Sequence, residues 1–433
     1  MQDLQLKQNK VMEILLEKPF MLSRDIAETL DIGARELNEI YRSIQECAVL
    51  RGTLVSKSIF QEFFLTYTQL LEDIDWLENA LYHGRVMPKI VEYHPSVGCN
   101  YDCTHCFSFG VDYEELATKE DRISVTRMMQ IIEEIAQNGV EQMWFSGGKE
   151  PFASEDTPIL IKHASDMGLR VRVYTNGFLL NQHICKTLMG AEQIRISVDS
   201  SCPDTYDMVH YGKARGGNAL GIVSANIKQL IEMRDEIGSS LKIAISQIVS
   251  SGNYDQIFDF VCFGQDLGVD SVQIRREFVG RTQFAPYMFH EIESQITEIG
   301  KHNWACEVDV RGLSARELNN PEKSNPSIPR TKYCWAGLYK RGINPWGHVY
   351  HCEFTCHPVF AKERSHLRLG DLKKDSFKST VYGGLANLPP TSRCEFCQSQ
   401  GIGLNWQMYK LLDDSDFGIP ISFQPFRRLP NVR

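Results

Sequence analysis

From about residue 88 to residue 310 the sequence alternates strand and helix, and this rhythm restricts the fold more than any other feature. Strands are expected at Ile90–His94, Gln142–Ser146, Arg170–Tyr174, Ile194–Asp199, Lys242–Ile248 and Ser271–Glu277. Between them, apolar residues at helical spacing mark Val125–Gln137, Ile159–Met167, Asn181–Met189, Leu220–Glu236 and Tyr254–Leu267. A strand, a helix and a second strand of the same sheet form a right-handed crossover between parallel neighbours. Six such units predict an α/β fold, a partial (βα)6 barrel whose open side lies where a full barrel would continue.

The flanks break this rhythm, which divides the chain into residues 1–85, 88–310 and 311–433. In the first part Val11, Met12, Leu15 and Leu16 form one apolar stripe, Ile26, Ala27 and Leu30 a second, and Leu37, Ile40, Tyr41 and Ile44 a third. With the turn at Asp31-Ile32-Gly33, this resembles a helix-turn-helix or winged-helix domain; a longer helix is expected over 58–82. Residues 1–60 hold eight Lys/Arg against nine Asp/Glu, a balance unsuited to reading a DNA groove and better suited to a structural or partner-binding cap. Prolines at 321, 326 and 329 mark a linker into the last part, where Gly, Pro, aromatic and Cys residues suggest a small domain pinned by metal.

The net charge of -9 over 433 residues argues against a nucleic-acid or membrane-surface partner. With no long apolar run and no signal peptide at the N-terminus, the expected location is the cytoplasm, where thirteen cysteines do not form a disulfide framework. Clustered cysteines in such a chain point to metal. Cys99, Cys103 and Cys106 form one cluster, and Cys334, Cys352, Cys356, Cys394 and Cys397 gather in the last quarter. Cys47, Cys185, Cys202, Cys262 and Cys306 stand singly and read as small buried hydrophobes.

Cys99-x3-Cys103-x2-Cys106 follows the first strand, on the barrel face where functional loops gather. Three thiolates this close can hold a [4Fe–4S] cubane and leave one iron open; a zinc knuckle is the simpler alternative. The second strand ends in Ser146-Gly147-Gly148-Lys149-Glu150-Pro151, where two glycines allow close approach of backbone to a zwitterionic ligand. The third ends in Tyr174-Thr175-Asn176-Gly177. On the fourth, period-two alternation turns Arg195, Ser197 and Asp199 inward, and on the sixth Gln273, Arg275 and Glu277. Inward charges on a sheet covered on both faces suggest a polar pocket.

The cysteine triplet, the Gly-Gly-x-Glu-Pro stretch and the strand order together resemble the radical S-adenosylmethionine (SAM) superfamily over about residues 88–300. The resemblance implies a SAM-binding [4Fe–4S] cluster on Cys99, Cys103 and Cys106, and His105 beside the adenine. It also implies Gly147, Gly148 and Glu150 at the SAM amino group, with Asn176 and Ser197 as ribose contacts. Reductive cleavage would yield methionine and a 5′-deoxyadenosyl radical that abstracts a substrate hydrogen. Phe145–Pro151, Val173–Asn176 and Ile274–Arg281 further resemble the radical SAM deaminases of TDP-amino sugars.

Cys334-x17-Cys352 with Cys394-x2-Cys397 resembles the twitch domain of auxiliary-cluster members and the aminocyclitol dehydrogenases, implying one auxiliary [4Fe–4S] cluster on these four cysteines. A structural zinc is the alternative. The segment from Ile343 to Tyr350 reads as a hairpin that positions Cys352, while Cys356 is a spare thiol that could replace a ligand, donate a hydrogen atom or be inert. Inward Arg195, Asp199, Arg275 and Glu277 suit a small, sugar-like substrate. The expected activity is therefore oxidation, epimerisation or deamination of an amino sugar, sugar nucleotide or cyclitol, with a flavodoxin- or ferredoxin-type reductant. Modification of a ribosomally made peptide and an Fe–S redox-sensing regulator are the other readings.

Overall fold

The computed structural model describes residues 2–17, 23–33, 36–37, 40, 47–50, 53–56, 85–106, 121–210, 218–277, 284–311, 313, 334, 336–357 and 367–384. The helix expected over 58–82, Cys394 and Cys397 lie outside the described residues. The chain divides into two compact units. One comprises Met1–Val86, Asn325–Leu338 and Tyr382–Arg433, the other Met87–Ser324 and Tyr339–Val381.

In the first unit helices α1 (Gln2–Glu17) and α2 (Ser23–Leu30) bury Val11, Ile26 and Ala27, and Lys7 on α1 forms a salt bridge of 2.6 Å with Glu36, beyond α2. A hairpin of β1 (Cys47–Leu50) and β2 (Thr53–Ser56) follows, adding strands to a region whose periodicity reads as helical. Strand β3 (Arg85–Val86) pairs antiparallel with Gly383–Gly384.

The second unit is built on one sheet. Its strands are β4 (Ile90–Tyr93), β5 (Gln142–Phe145), β6 (Arg170–Thr175), β7 (Gln193–Ser197), β8 (Lys242–Val249), β9 (Ser271–Arg276), β10 (Glu307–Arg311), β11 (Lys340–Ile343), β12 (His348–Tyr350) and β13 (Arg368–Asp371). They run in the order β10-β9-β8-β7-β6-β5-β4-β11-β12-β13. The six expected strands are β4 to β9, all parallel to their neighbours. Two more parallel strands extend the six-unit expectation: β10 beside β9, and β11 beside β4. The expected hairpin is the antiparallel β11–β12 pair, so residues 339–381 continue the core sheet instead of standing apart from it.

Helices α3 (Val125–Gln137), α4 (Thr157–Asp166), α5 (Gln182–Leu188), α6 (Pro203–Val209), α7 (Ala219–Ile237), α8 (Ile257–Leu267) and α9 (Pro286–Ile299) fill the crossovers. In α3 the Ser124 hydroxyl caps the first turn by accepting from Arg127 N at 3.2 Å, and Met128, Ile131, Ile132 and Ile135 form its buried stripe. Alternate strand residues meet these stripes: Val91, Met143, Phe145, Val171, Val173, Ile194, Ile196, Val272 and Ile274 belong to one apolar core with them. The residues between, Glu92, Trp144, Tyr174, Arg195, Gln273 and Arg275, therefore share the other face. No described helix is long and apolar enough to cross a membrane.

Helix α8 approaches the sheet at Gly264. A methyl group there would overlap Val272 Cγ2 and stand 3.0 Å from Ile245 Cδ1, both on fully buried side chains. Gly264→Ala is expected to destabilise the protein by about 1–3 kcal/mol through overpacking. Urea unfolding of the two proteins checks this; an unchanged midpoint would mean that the helix can lift from the sheet without cost.

Candidate active site

The loop from His94 to Cys106 leaves the end of β4 and carries the cysteine triplet. Cys99, Cys103 and Cys106 are half-buried and free of disulfides. Tyr101, between the first two, anchors the loop: its ring packs on Phe178, Tyr206 and His210, and its hydroxyl lies 3.2 Å from the Tyr206 hydroxyl. The Tyr101 amide donates to Cys99 Sγ at 3.4 Å, and Thr104 N donates to the Val209 carbonyl at 3.1 Å. Burial pushes the Cys99 thiol up to about 11, with the Cys106 charge adding to it. Burial also raises the Cys103 thiol, reinforced by Asp199 and by both other thiols. The triplet is thus within mutual electrostatic reach. Among the described residues no three His, Cys, Asp or Glu side chains converge as for a single metal ion. A four-iron cubane spreads its ligands wider than one ion does, so the donor set suits the larger group.

Glu150 ties this loop to the next two strand ends. Its amide donates to the Gly98 carbonyl at 3.1 Å. Its carboxylate, 2% exposed, accepts from Phe152 N at 3.1 Å, the Thr175 hydroxyl at 2.6 Å and Asn176 N at 2.8 Å. Burial raises the Glu150 carboxyl above its ordinary value, and these three donors oppose the rise. Sequence reading assigns Glu150 to a ligand amine; the geometry gives both oxygens to the protein. Gly148 has a local reason too, since a Cβ there would fall inside the fully buried His357 ring. Asn176 reaches the cysteine loop, with Nδ2 donating to Asn100 Oδ1 at 2.7 Å and lying 3.9 Å from Cys99 Sγ.

Strand β7 alternates as expected through Arg195 and half-buried Ser197, then stops. Asp199 has φ 63°, beyond the strand, and is fully buried; the period-two extrapolation that lined it up with Arg195 as a pocket residue fails at this turn. Its Oδ1 accepts from Ile248 N at 2.6 Å, while Oδ2 lies 3.2 Å from His210 Nε2 and 3.6 Å from His105 Nε2. The other His210 nitrogen, Nδ1, is 3.1 Å from Cys103 Sγ. A continuous chain runs from Cys103 through His210 and Asp199 to His105. Burial raises the Asp199 carboxyl and lowers the His210 imidazole, and each is opposed by the other's charge. His210 stands outside every motif; its only sequence signal is its position at the C-terminal end of an amphipathic stretch.

Arg195 and Arg275 meet at Gln273, whose side-chain oxygen accepts from both, at 3.1 and 2.9 Å. Glu277 lies beyond the end of β9 and is 5% exposed, its amide donating to the Val249 carbonyl at 3.1 Å. Cys356, in the short helix Glu353–Cys356, is fully buried; its thiol donates to the Glu353 carbonyl at 3.0 Å and lies 3.4 Å from His94 Nδ1. Cys352 is half-buried in the same unit, whereas Cys334 belongs to the other unit. The structure thus brings Cys99, Asn176, Glu150 and the two glycines together, and separately Arg195 with Arg275.

Comparison with known proteins agrees with this geometry. The radical SAM superfamily domain matches residues 93–233. The dTDP-4-amino-4,6-dideoxy-D-glucose ammonia-lyase of Streptomyces venezuelae is 29% identical over 222 residues, 49% of this chain and 44% of the relative, so the chain spans under half of that protein's length. A PqqA peptide cyclase of Bradyrhizobium diazoefficiens is 26% identical over 324 residues, covering 73% of this chain and 81% of the relative. Among solved structures, SuiB of Streptococcus suis bound to S-adenosylmethionine superposes with a TM-score of 0.52 at 14% identity, over 72% of this chain and 68% of that one, a likeness of fold. The stretch matched by the radical SAM superfamily model takes in the cysteine loop after β4, the glycine loop after β5 and strands β5, β6 and β7 of the parallel sheet.

Proposed function

We propose that the chain is a radical SAM enzyme that holds a [4Fe–4S] cluster on Cys99, Cys103 and Cys106 and removes hydrogen from a sugar nucleotide, amino sugar or cyclitol. The observation that carries this reading is the meeting of three strand ends at Glu150, which brings Asn176 within 3.9 Å of Cys99 Sγ. When bound, the cluster supplies the electron for reductive cleavage of SAM to methionine and a 5′-deoxyadenosyl radical.

The chain's own residues bind and orient. Gly147 and Gly148 would present backbone to the SAM amino acid moiety, and His105 would serve the adenine. Asn176 and Ser197 serve the ribose. Glu150 acts by holding the Asn176 backbone in place, with its carboxylate turned into the protein. His210 directs Nδ1 at the Cys103 sulfur while the Val198 carbonyl holds Nε2 at 3.0 Å with Asp199 beside it, the kind of outer contact that orients a ligand. Cys334, Cys352, Cys394 and Cys397 would carry the auxiliary cluster, and a flavodoxin- or ferredoxin-type protein would deliver electrons. The ammonia-lyase relative supports deamination of a sugar nucleotide. The wider coverage of the peptide cyclase, 81% of its length, favours peptide modification as the second reading.

Measurements on cysteine and Glu150 variants check this assignment. Anaerobic reconstitution should load about eight irons in the parent and about four in a Cys99/Cys103/Cys106→Ala triple variant, on four irons per cluster; the Cys99→Ala single variant should release no 5′-deoxyadenosine under dithionite. Substantial turnover by Cys99→Ala would sink the central claim, and four irons in the parent with none in the triple variant would remove the auxiliary cluster. Glu150→Ala should lower stability by about 1–3 kcal/mol, because the Thr175 hydroxyl and Asn176 amide lose a buried acceptor. It should also weaken SAM binding several-fold, with Glu150→Gln recovering only part of the stability, because its amide nitrogen would face a donor. Equal SAM affinity in the parent and Glu150→Ala would disconnect the carboxylate from the SAM site.

A further inference from the structure

On the inner face of the sheet, charge is compensated at one side and left open at the other. Lys340 on β11 lies 2.5 Å from Glu92 and 3.4 Å from Glu353, and Arg172 on β6 lies 2.7 Å from Glu192. Beyond β6 the balance fails. Arg195 stacks on the Tyr174 ring at 4.2 Å and shares the Gln273 oxygen with Arg275. Among the described residues neither arginine has a carboxylate within the 4.0 Å of an ion pair. Arg311 on β10 is the register partner of Arg275 and has one carboxylate, Asp309, at 2.6 Å. Three guanidiniums thus share Asp309 and a neutral amide oxygen.

This arrangement is costly in the free protein. Burial, and then the like charges of Arg195 and Arg311, push Arg275 down to about 9. The Arg275 Nε is buried without a hydrogen-bond partner. All three arginines are nevertheless only half-buried, which leaves them open to a ligand. Planar guanidinium forks from neighbouring strands match the oxygens of a phosphate, which accepts several charge-assisted hydrogen bonds at once. In strand order β9 and β10 lie at the opposite end of the parallel array from β4 and β5, which carry the cysteine and glycine loops.

We propose that Arg195, Arg275 and Arg311 seat a phosphate or diphosphate group of the substrate, so that the molecule processed is a phosphorylated small molecule of the nucleoside diphosphate class. The inference rests on the radical SAM reading, which puts the reacting end of the substrate near β4 and β5 and leaves β9 and β10 for its anionic end. A neutral cyclitol would leave Arg195 and Arg275 without a carboxylate or phosphate partner.

Calorimetric titration of the reconstituted protein with thymidine diphosphate, inorganic pyrophosphate, orthophosphate and SAM tests this. Thymidine diphosphate or pyrophosphate should bind, and Arg275→Gln and Arg311→Gln should each weaken that binding about 10- to 100-fold. Arg275→Lys should fall between them and the parent, which separates loss of charge from misfolding. Arg170→Gln, at a half-buried arginine paired with Glu141 and Glu192 at the start of β6, should match the parent. Orthophosphate binding as tightly as the diphosphates would overturn the assignment to the nucleoside diphosphate class. Absence of diphosphate binding in a parent that still binds SAM would overturn the proposal and leave the radical SAM reading intact; absence of SAM binding would strike that reading instead. Loss of SAM affinity in Arg275→Gln, with diphosphate affinity unchanged, would assign the arginines to the SAM carboxylate and also overturn it.

Discussion

The site depends on one buried carboxylate. Glu150 follows a tight loop after β5, and its two oxygens collect an amide from its own turn, a hydroxyl from β6 and the amide just beyond it. Its backbone amide fixes Gly98 in the cysteine loop. A buried carboxylate is tolerable only when its lone pairs are met, and a parallel sheet offers few free donors except at strand ends. Once the charge is buried there, the ends of β4, β5 and β6 cannot move independently. Rigidity at the cysteine loop is then a consequence of electrostatic satisfaction, not of loop composition.

A second buried acid works differently. Asp199 satisfies Ile248 N and faces two histidines, one beside Cys103 and one immediately before Cys106. Its charge raises the Cys103 thiol, and it also meets the cysteine loop through the two imidazole rings. The same side of the sheet carries two contrasting treatments of positive charge: Lys340 is enclosed by two carboxylates, whereas Arg195 and Arg275 rest on an aromatic face and an amide. Matched charges fix the scaffold; unmatched ones are stored interaction energy, available to whatever supplies the missing sign.

The sheet was legible where apolar alternation was strong. Ile194 and Ile196, or Val272 and Ile274, announce both a strand and the face it buries, and helix α3 is readable from Met128, Ile131, Ile132 and Ile135. Strand β11, Lys340-Arg341-Gly342-Ile343, carries no such pattern; it is a strand because β4 offers it a ladder from 250 residues away in sequence. Strand β10 has Val308 and Val310 in alternation but is too short and too charged to stand out from its linker. At the site, motifs led to Cys99, Gly148, Glu150 and Asn176. His210 and His357 were invisible, because a single histidine acquires meaning only from what the fold sets against it. The strand period ends before Asp199, which takes a left-handed backbone conformation beyond β7.

The parallel pairing of β11 with β4 has a consequence for how the protein is made. Strand β4, which launches the cysteine loop, has an unpaired flank until residues 340–343 reach it. On a ribosome adding amino acids from the N-terminus, β5 and β6 can join β4 early, but its other edge stays open through most of synthesis. Long-range parallel pairings of this kind are slow to close. The cysteines are therefore translated long before their strand is fully enclosed, and the nascent chain passes through a stage in which reactive thiols sit beside an unprotected sheet edge.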